Sequence, residues 1–274
     1  MTEVGCTQKM DQPQVLSVLF CRRADWTPPP AGAVDLDIEV DKGITLAARF
    51  FRSADPAAPT ILFFHGNGEV VSDYDDVGPL YNEQGLHFLA VEYRGYGKSG
   101  GEPSVGSMLQ DAHVLYKRCR AWLAEQGCAG QLVVMGRSLG SVSAIELAAS
   151  EEGVDGLIVE SGIGQTLPLL ETIGIEVQAL ALTENDGFRN LEKMGTVRKP
   201  TYILHAQHDR IIPLALAEEL QSACAARSKE FQVIPGADHN NILAKTGRLY
   251  FQAIRQFVRK VGKSHAPRRP GVRA

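Results

Sequence analysis

A chain of 274 residues with 44% hydrophobic and 22% charged residues is typical of a folded globular protein with one large α/β domain or two small ones. This composition excludes a wholly disordered, collagen-like or coiled-coil protein. The net charge of −4, from 28 basic and 32 acidic residues, provides no overall positive field, so we expect no nucleic-acid partner.

The sequence predicts a cytoplasmic protein without an integral membrane segment. No apolar run approaches the ~20 residues that span a bilayer, and the first 14 residues lack the pattern of a signal peptide. The five cysteines have no regular spacing, which is typical of reduced thiols in the cytosol. They are Cys6, Cys21, Cys119, Cys128 and Cys224.

The chain begins with an N-terminal extension, residues 1–34, that is polar and then rich in proline. Residues 35–40 then alternate acidic and apolar side chains, which is the period of a half-buried strand. A turn at 41–43 and a second strand over 45–51 complete a predicted antiparallel hairpin.

From Thr60 onwards, short apolar runs alternate with longer amphipathic segments. The runs are typical of strands buried on both faces of a parallel sheet; they cover 60–64, 87–91, 132–135, 156–159, 201–204 and 231–234. The segments between them predict helices over about 70–84, 104–126, 138–150, 214–226 and 246–261. This alternation predicts an α/β fold, a mostly parallel sheet with helices on both faces, over residues 35–261.

Two segments depart from the alternation. Residues 161–199 are too long for a simple connection, so they predict a small, cap-like helical excursion. Its seven aliphatic residues either line a substrate site or pack on the sheet, and they are Leu167, Leu169, Leu170, Ile173, Ile175, Leu180 and Leu182. Residues 262–274 are basic and contain two prolines, which predicts a disordered tail.

The motif with the most chemical content is Gly136-Arg-Ser-Leu-Gly140, which directly follows an apolar strand and directly precedes a helix. In this context Gly-x-Ser-x-Gly is a nucleophile elbow. The turn is tight enough to strain the backbone of Ser138, and neighbours with a Cβ would collide with the strand and helix. The motif predicts Ser138 as a nucleophile and the backbone N–H of Leu139 as an oxyanion donor at a helix N-terminus.

A serine needs a base, and the base needs an acid that orients it. After this elbow the expected chain order is acid and then histidine. Asp209 follows the strand at 201–204, and His239 follows the strand at 231–234. Both lie at the carboxyl edge of the sheet, where Ser138 also lies. We therefore predict that Ser138, His239 and Asp209 form a catalytic triad.

Alternatives remain for the acid. Glu160 ends the strand at 156–159 at the same edge, and Asp238 directly precedes the histidine. Asp209 is also suited to a turn or to capping the following helix. The His205, His208 and Asp209 cluster does not have a standard metal spacing, so we expect no metal site.

The second oxyanion donor is expected in the loop after the strand at 60–64. This loop is His65-Gly-Asn-Gly-Glu69, and its glycines allow the backbone to approach a substrate closely. We predict the backbone N–H of Asn67 as this donor. The loop lacks both phosphate-binding glycine patterns, so a phosphate site is not expected.

The motifs together resemble those of the α/β-hydrolase superfamily. The similarity extends from about residue 35 to 261 and is carried by HGNGE (65–69), EYRGYGKSGG (92–101), GRSLG (136–140), HAQHDRIIP (205–213) and GADHN (236–240). The chain is most similar to the branch with a small or absent cap that includes Bem46-like and ABHD17-like serine hydrolases and serine aminopeptidases. This resemblance implies a mostly parallel sheet of eight strands, a Ser-His-Asp triad and no cofactor.

We therefore expect a serine hydrolase that transfers an acyl group from a small ester or thioester to water. An apolar acyl group of short to medium length is expected if the aliphatic residues of 161–199 line the site. One alternative is a peptidase or amidase for small substrates. The other is a binding protein that has kept the fold and lost catalysis.

Overall fold

The apolar runs of the sequence form an eight-stranded sheet in the computed structural model, which describes residues 9–265. The strands are β1 (Ala33–Asp41), β2 (Ile44–Phe51), β3 (Thr60–Phe64), β4 (His87–Val91), β5 (Leu132–Arg137), β6 (Gly156–Glu160), β7 (Thr201–Ala206) and β8 (Lys229–Ile234). Their order across the sheet is β1-β2-β4-β3-β5-β6-β7-β8. Strand β2 pairs antiparallel with β1 and β4, and all other pairs are parallel. The predicted fold class is therefore confirmed.

Helices cover both faces of the sheet. They are α1 (Pro13–Leu19), α2 (Gly78–Glu83), α3 (Val105–Glu125), α4 (Gly140–Ser150), α5 (Thr166–Thr172), α6 (Asn190–Met194), α7 (Leu214–Ala223), α8 (Ile242–Thr246) and α9 (Arg248–His265). Helices α1 and α3 to α7 pack into the core on one face, whereas α2, α8 and α9 pack into the core on the other. This burial of both faces explains why the parallel strands are continuously apolar.

The prediction of one continuous helix over 70–84 is wrong. The structure has a 3₁₀ turn at Val71–Tyr74 and then the short helix α2. Pro79 explains the break, because proline lacks an N–H and clashes with a preceding helical turn, so it is tolerated only near a helix start. Helix α4 also begins later than predicted, at Gly140, because Ser138 and Leu139 form the turn that leads into it.

The N-terminal segment packs on the sheet instead of standing apart from it. Four of its side chains are buried in the core on the face of the sheet that α3 covers. They are Met10 before α1, Val15 and Leu19 in α1, and Phe20 directly after α1. At the other end, α9 runs to His265, inside the segment 262–274 that was predicted as a tail. Residues 266–274 and Cys6 lie outside the described residues. Cys21, Cys119, Cys128 and Cys224 are free thiols.

The excursion after β6 contains α5, a 3₁₀ turn at Glu184–Asp186 and α6. The seven aliphatic residues of this segment pack on the sheet, which was one of the two alternatives. All seven lie in or against the core on the face that α3 covers. Leu169, Leu170, Ile175 and Leu182 are buried, and Leu167, Ile173 and Leu180 are partly buried against them. The aliphatic content of this segment therefore gives no support to an apolar substrate.

A cluster of charges holds α6 against α4. The Lys193 ammonium lies 2.6 Å from Glu146, and His113 of α3 lies between Glu146 and Glu151, with N–O distances of 3.2 and 2.7 Å. The hydrogen bond to Glu146 outweighs the effect of burial and raises the pKa of His113, and the hydrogen bond to Glu151 raises it further. A histidine whose pKa is raised by folding stabilises the folded state below its unfolded pKa, about 6.5.

We expect His113→Gln to be destabilised by on the order of 1 kcal/mol at pH 6. The difference from wild type should shrink as the pH rises through the raised folded pKa, because the wild-type imidazole then loses its charge. Urea unfolding at pH 6.0 and at pH 9.0 measures the difference in free energy of unfolding between the variant and the wild type. His208→Gln is the control, because that side chain is exposed. An equal loss at both pH values would contradict the charged-histidine explanation.

Candidate active site

The Gly-x-Ser-x-Gly motif forms a sharp turn between β5 and α4. Ser138 has φ of 51°, a conformation that is strained for a residue with a side chain. Its N–H donates to the carbonyl of Glu160 at 2.9 Å, and its carbonyl accepts from the Ser141 hydroxyl at 2.6 Å. A Cβ at Gly136 would lie 2.2 Å from the carbonyl oxygen of Gly140, which explains why only glycine fits there.

The same steric argument predicts the effect of a single methyl group at Gly140. Its Cβ would lie 2.0 Å from the backbone oxygen of Phe64, so the turn must shift or the strand must move. We expect Gly140→Ala to lower the free energy of unfolding by about 3 kcal/mol or more. Gly100→Ala is the control, because a Cβ there meets only Thr45, at 3.9 Å. Denaturant unfolding compares the two variants, and equal stability would contradict the clash.

The structure brings the three predicted triad side chains together. His239 Nδ1 lies 2.7 Å from Asp209 Oδ2, and His239 Nε2 lies 3.0 Å from Ser138 Oγ. Ser138 follows β5, Asp209 lies three residues after β7, and His239 lies five residues after β8. Because these parallel strands point the same way, their carboxyl ends meet at one edge of the sheet. The hydroxyl, imidazole and carboxylate therefore form one continuous hydrogen-bonded chain.

Asp209 both shapes its turn and contacts the histidine. Its Oδ1 accepts from the backbone N–H groups of Ile211 and Ile212 at 3.0 and 2.8 Å, while its Oδ2 faces His239. Burial acts to raise the pKa of Asp209, but the hydrogen bond and charge of His239 outweigh it and hold the pKa below its ordinary value. The carboxylate therefore stays ionised beside the imidazole.

The two alternative acids have other partners. Glu160 is buried, its carboxylate accepts from the Tyr250 hydroxyl, and it lies 3.5 Å from the guanidinium of Arg137. Burial raises the pKa of Glu160, although Arg137 and Tyr250 oppose that effect. Asp238 is exposed and accepts from the backbone N–H of Asn240 and the side chain of Asn241. Only Asp209 of the three makes the hydrogen bond to His239 Nδ1.

His205 is a structural histidine behind Asp209. Its Nε2–H donates to the carbonyl of Ile212 at 2.8 Å, and burial lowers its pKa, which keeps the ring neutral. His208 is exposed. Within the part of the chain that the structure describes, no cluster of three or more His, Cys, Asp or Glu residues is arranged to hold a metal ion.

The predicted oxyanion donors lie on the two loops beside Ser138. Leu139 is the residue that leads into α4, so its N–H lies at the start of that helix. Asn67 is fixed by its side chain, whose Oδ1 accepts from the Cys21 N–H at 2.7 Å and from the Tyr96 hydroxyl at 2.9 Å. Its Nδ2 donates to the carbonyl of Val18 at 3.3 Å. The N-terminal segment thereby braces the loop that carries Asn67.

Sequence reasoning missed a buried pair beneath this loop. The imidazole of His65 contacts Glu92 at 2.9 Å and the carbonyl of Gly66 at 2.8 Å. Burial acts to lower the pKa of His65, but Glu92 raises it above its ordinary value. The other oxygen of Glu92 accepts from the Val71 N–H at 2.7 Å. A histidine and a glutamate at the ends of neighbouring strands, β3 and β4, are the signal that could have found this pair.

Arg137 and Glu69 were also missed, although each lies inside a motif that the sequence singled out. Their side chains form an ion pair, and Arg137 Nη2 donates to the carbonyl of His239 at 2.9 Å. Glu69 and Glu160 raise the pKa of Arg137 against the effect of burial, so the guanidinium is charged. The sequence did contain a signal for this ion pair, because Glu69 and Arg137 carry opposite charges and lie in two motifs of the same predicted site.

Comparisons with known proteins identify what this chain is similar to. A family model described as serine aminopeptidase, S33, matches residues 55–183. The human α/β-hydrolase domain-containing protein 17B is 29% identical over 251 residues, which cover 86% of this chain and 80% of the human protein. The chain is therefore similar to members of the α/β-hydrolase superfamily. The α/β-hydrolase domain-containing protein 17C of Xenopus tropicalis is 25% identical over 256 residues, which cover 90% of this chain and 77% of that protein.

Solved structures show the same fold. The esterase Pf2001 of Pyrococcus furiosus superposes with a TM-score of 0.71 at 15% identity, covering 88% of this chain and 98% of the esterase. A soluble variant of the monoglyceride lipase of Saccharomyces cerevisiae superposes with a TM-score of 0.65 at 17% identity, covering 88% and 98%. These neighbours show that the chain has the α/β-hydrolase fold. Over residues 9–265, no helix has the length and apolar character needed to cross a bilayer.

Proposed function

We propose that this protein is a serine hydrolase that cleaves a carboxylic ester or thioester through an acyl-enzyme on Ser138. The observation that carries the proposal is the position of His239, with one ring nitrogen 3.0 Å from the Ser138 hydroxyl and the other 2.7 Å from Asp209. These distances are within reach for proton transfer, which a serine hydroxyl needs because it is a weak nucleophile at its own pKa.

The reaction follows from this arrangement. Ser138 Oγ attacks the carbonyl carbon while His239 Nε2 takes its proton, and Asp209 stabilises the imidazolium that forms. The N–H groups of Leu139 and Asn67 stabilise the oxyanion of the tetrahedral intermediate. His239 then protonates the departing alkoxide or thiolate. A water molecule, activated by the same imidazole, releases the acid and restores Ser138.

A peptidase or amidase is the second candidate, because the matching family model is described as a serine aminopeptidase. Binding of a free substrate amine requires a carboxylate that is available near the nucleophile. Glu69 and Glu160, which lie beside the triad, are both engaged by Arg137. This pairing favours an ester or thioester over a peptide with a free amino terminus.

A fluorophosphonate probe tests the nucleophile directly, because it reacts with an activated serine. We expect labelling of the purified protein at Ser138, located by mass spectrometry, and no labelling of the heat-denatured protein. A native protein that is not labelled would favour the alternative of a binding protein that has lost catalysis.

A series of p-nitrophenyl esters of increasing chain length then tests the substrate, alongside an acyl thioester and an aminoacyl p-nitroanilide. We expect the highest kcat/KM for an ester or a thioester, and the series measures the preferred acyl-chain length. A higher kcat/KM for the anilide would replace the ester proposal with the peptidase alternative.

A further inference from the structure

The guanidinium of Arg137 contacts both loops that flank the nucleophile. Its Nη1 is paired with Glu69, and its Nη2 donates to the carbonyl of His239 at 2.9 Å and to Asn240 Oδ1 at 3.2 Å. Its Nε faces Glu160 at 3.5 Å. The side chain is only 14% exposed, so these contacts are largely shielded from water.

Glu69 continues this connection on the other side. While one carboxylate oxygen pairs with Arg137, the other accepts from the Gly66 N–H at 2.7 Å and from the Tyr74 hydroxyl at 2.7 Å. A Cβ at Gly66 would lie 2.7 Å from Arg137 Nη1, so the loop backbone packs directly on the guanidinium. An unbroken chain of polar contacts therefore joins the backbone of Gly66 to the backbone of His239.

We propose that Arg137 and Glu69 form a clamp that fixes the oxyanion loop (65–69) relative to the histidine loop (235–241). Arg137 is then a positioning residue: it acts through His239 and the loop of Asn67, and it does not itself touch the substrate. This inference rests on the proposed serine hydrolysis.

In this fold the oxyanion loop and the histidine loop need a connection other than strand pairing. The oxyanion loop follows β3 in the middle of the sheet, and the histidine loop follows β8 at its edge, so no strand pairing joins them. Acyl transfer is sensitive to their relative position, because a misplacement of about 1 Å can lower the rate about 10²-fold. Arginine suits the role because its planar group donates in several fixed directions, whereas lysine is a single point charge.

The test compares kcat and KM of Arg137→Gln with those of Lys193→Gln. Lys193 is the control because its ion pair with Glu146 is equally shielded, at 15% and 13% exposure, but lies between α6 and α4 and away from both loops. We expect Arg137→Gln to lower kcat by about 10²-fold with KM within about threefold. Arg137→Lys should recover only part of the loss. Lys193→Gln should lower the melting temperature and leave kcat within about twofold.

A double-mutant cycle tests whether the two ions act as one unit. Glu69→Gln keeps the size of the side chain but cannot accept from Gly66 and Tyr74 while also pairing with Arg137, so we expect about a tenfold loss of kcat. In the Arg137→Gln background the same change should cost less than about threefold, because the link is already broken. If the loss of kcat in the double variant equals the product of the losses in the two single variants, the clamp is wrong.

Each outcome separates this inference from the proposed function. If wild-type protein is labelled by the fluorophosphonate and hydrolyses esters, but Arg137→Gln retains wild-type kcat, the clamp is wrong and the serine mechanism stands. If wild-type protein is neither labelled nor active, the proposed function fails first. If Arg137→Gln does not fold, the kcat of Glu69→Gln decides: a wild-type value would overturn the clamp.

Discussion

Replacing Ser138 with alanine is expected to lower the rate of ester hydrolysis by about 10⁴- to 10⁶-fold, because the acyl-enzyme can no longer form. A small residual rate should remain, since the proposed oxyanion donors, the N–H groups of Leu139 and Asn67, would still act when water attacks the carbonyl. The measurement is kcat on the best p-nitrophenyl ester, with highly purified protein, because trace contamination by an active esterase would mask a loss of this size.

Ser143→Ala is the matched control for that variant. Ser143 lies on α4, five residues from the nucleophile, and its buried hydroxyl has no hydrogen-bond partner among the described residues. Its removal should leave kcat unchanged and keep or improve stability, because an unpaired buried hydroxyl is unfavourable. A Ser138→Ala variant that hydrolyses esters as fast as Ser143→Ala would rule out the serine mechanism.

Asp209→Asn is expected to lower kcat by about 10⁴-fold with little change in stability. The carboxylate accepts a hydrogen bond from His239 Nδ1, and this bond leaves Nε2 free to accept the proton of Ser138. An asparagine can instead present its NH₂ group to Nδ1, which favours the wrong tautomer. A pH series from 6 to 9 should show the loss at every pH.

Glu160→Gln discriminates between the two acids that the sequence left open. Glu160 accepts a hydrogen bond from Tyr250 and lies 3.5 Å from Arg137, and the single oxygen of a glutamine can still accept from Tyr250. We therefore expect a loss of kcat below about tenfold, from the weakened hold on Arg137. If Glu160→Gln instead costs more than Asp209→Asn, Glu160 is the functional acid and the assignment of Asp209 is wrong.

The candidate nucleophile was the easiest part of the site to predict from the sequence. All of its determinants lie within the nine residues from Leu132 to Gly140: a buried strand, two glycines that avoid a clash, and the start of a helix. The acid and the base were harder, because they are far away along the chain. Their prediction depended on the common direction of the parallel strands, which brings the residues after β7 and β8 to the edge where Ser138 lies.

Other features could not be predicted from local patterns. The sequence predicts one helix over residues 70–84, but Pro79 and packing on β4 divide them into a 3₁₀ turn and α2. The N-terminal segment contains few pattern signals, and it packs because Val15 and Leu19 find an apolar surface on the α3 face. The packing of the N-terminal segment depends on contacts between segments that are distant in the sequence, whereas the break before α2 also depends on the local position of Pro79.

The sequence by itself determined the α/β fold, the tight turn at Ser138 and the three candidate residues, because strand period, glycine sterics and chain order act locally or through the direction of parallel strands. Only the tertiary structure shows that His239 contacts Asp209 and not Glu160. Both follow neighbouring strands, but the loop after β7 carries Asp209 to His239, while Glu160 stays within β6 and contacts Tyr250. The contact of Arg137 with His239 has the same origin, since the path of a loop depends on what it packs against and not on its own residues alone.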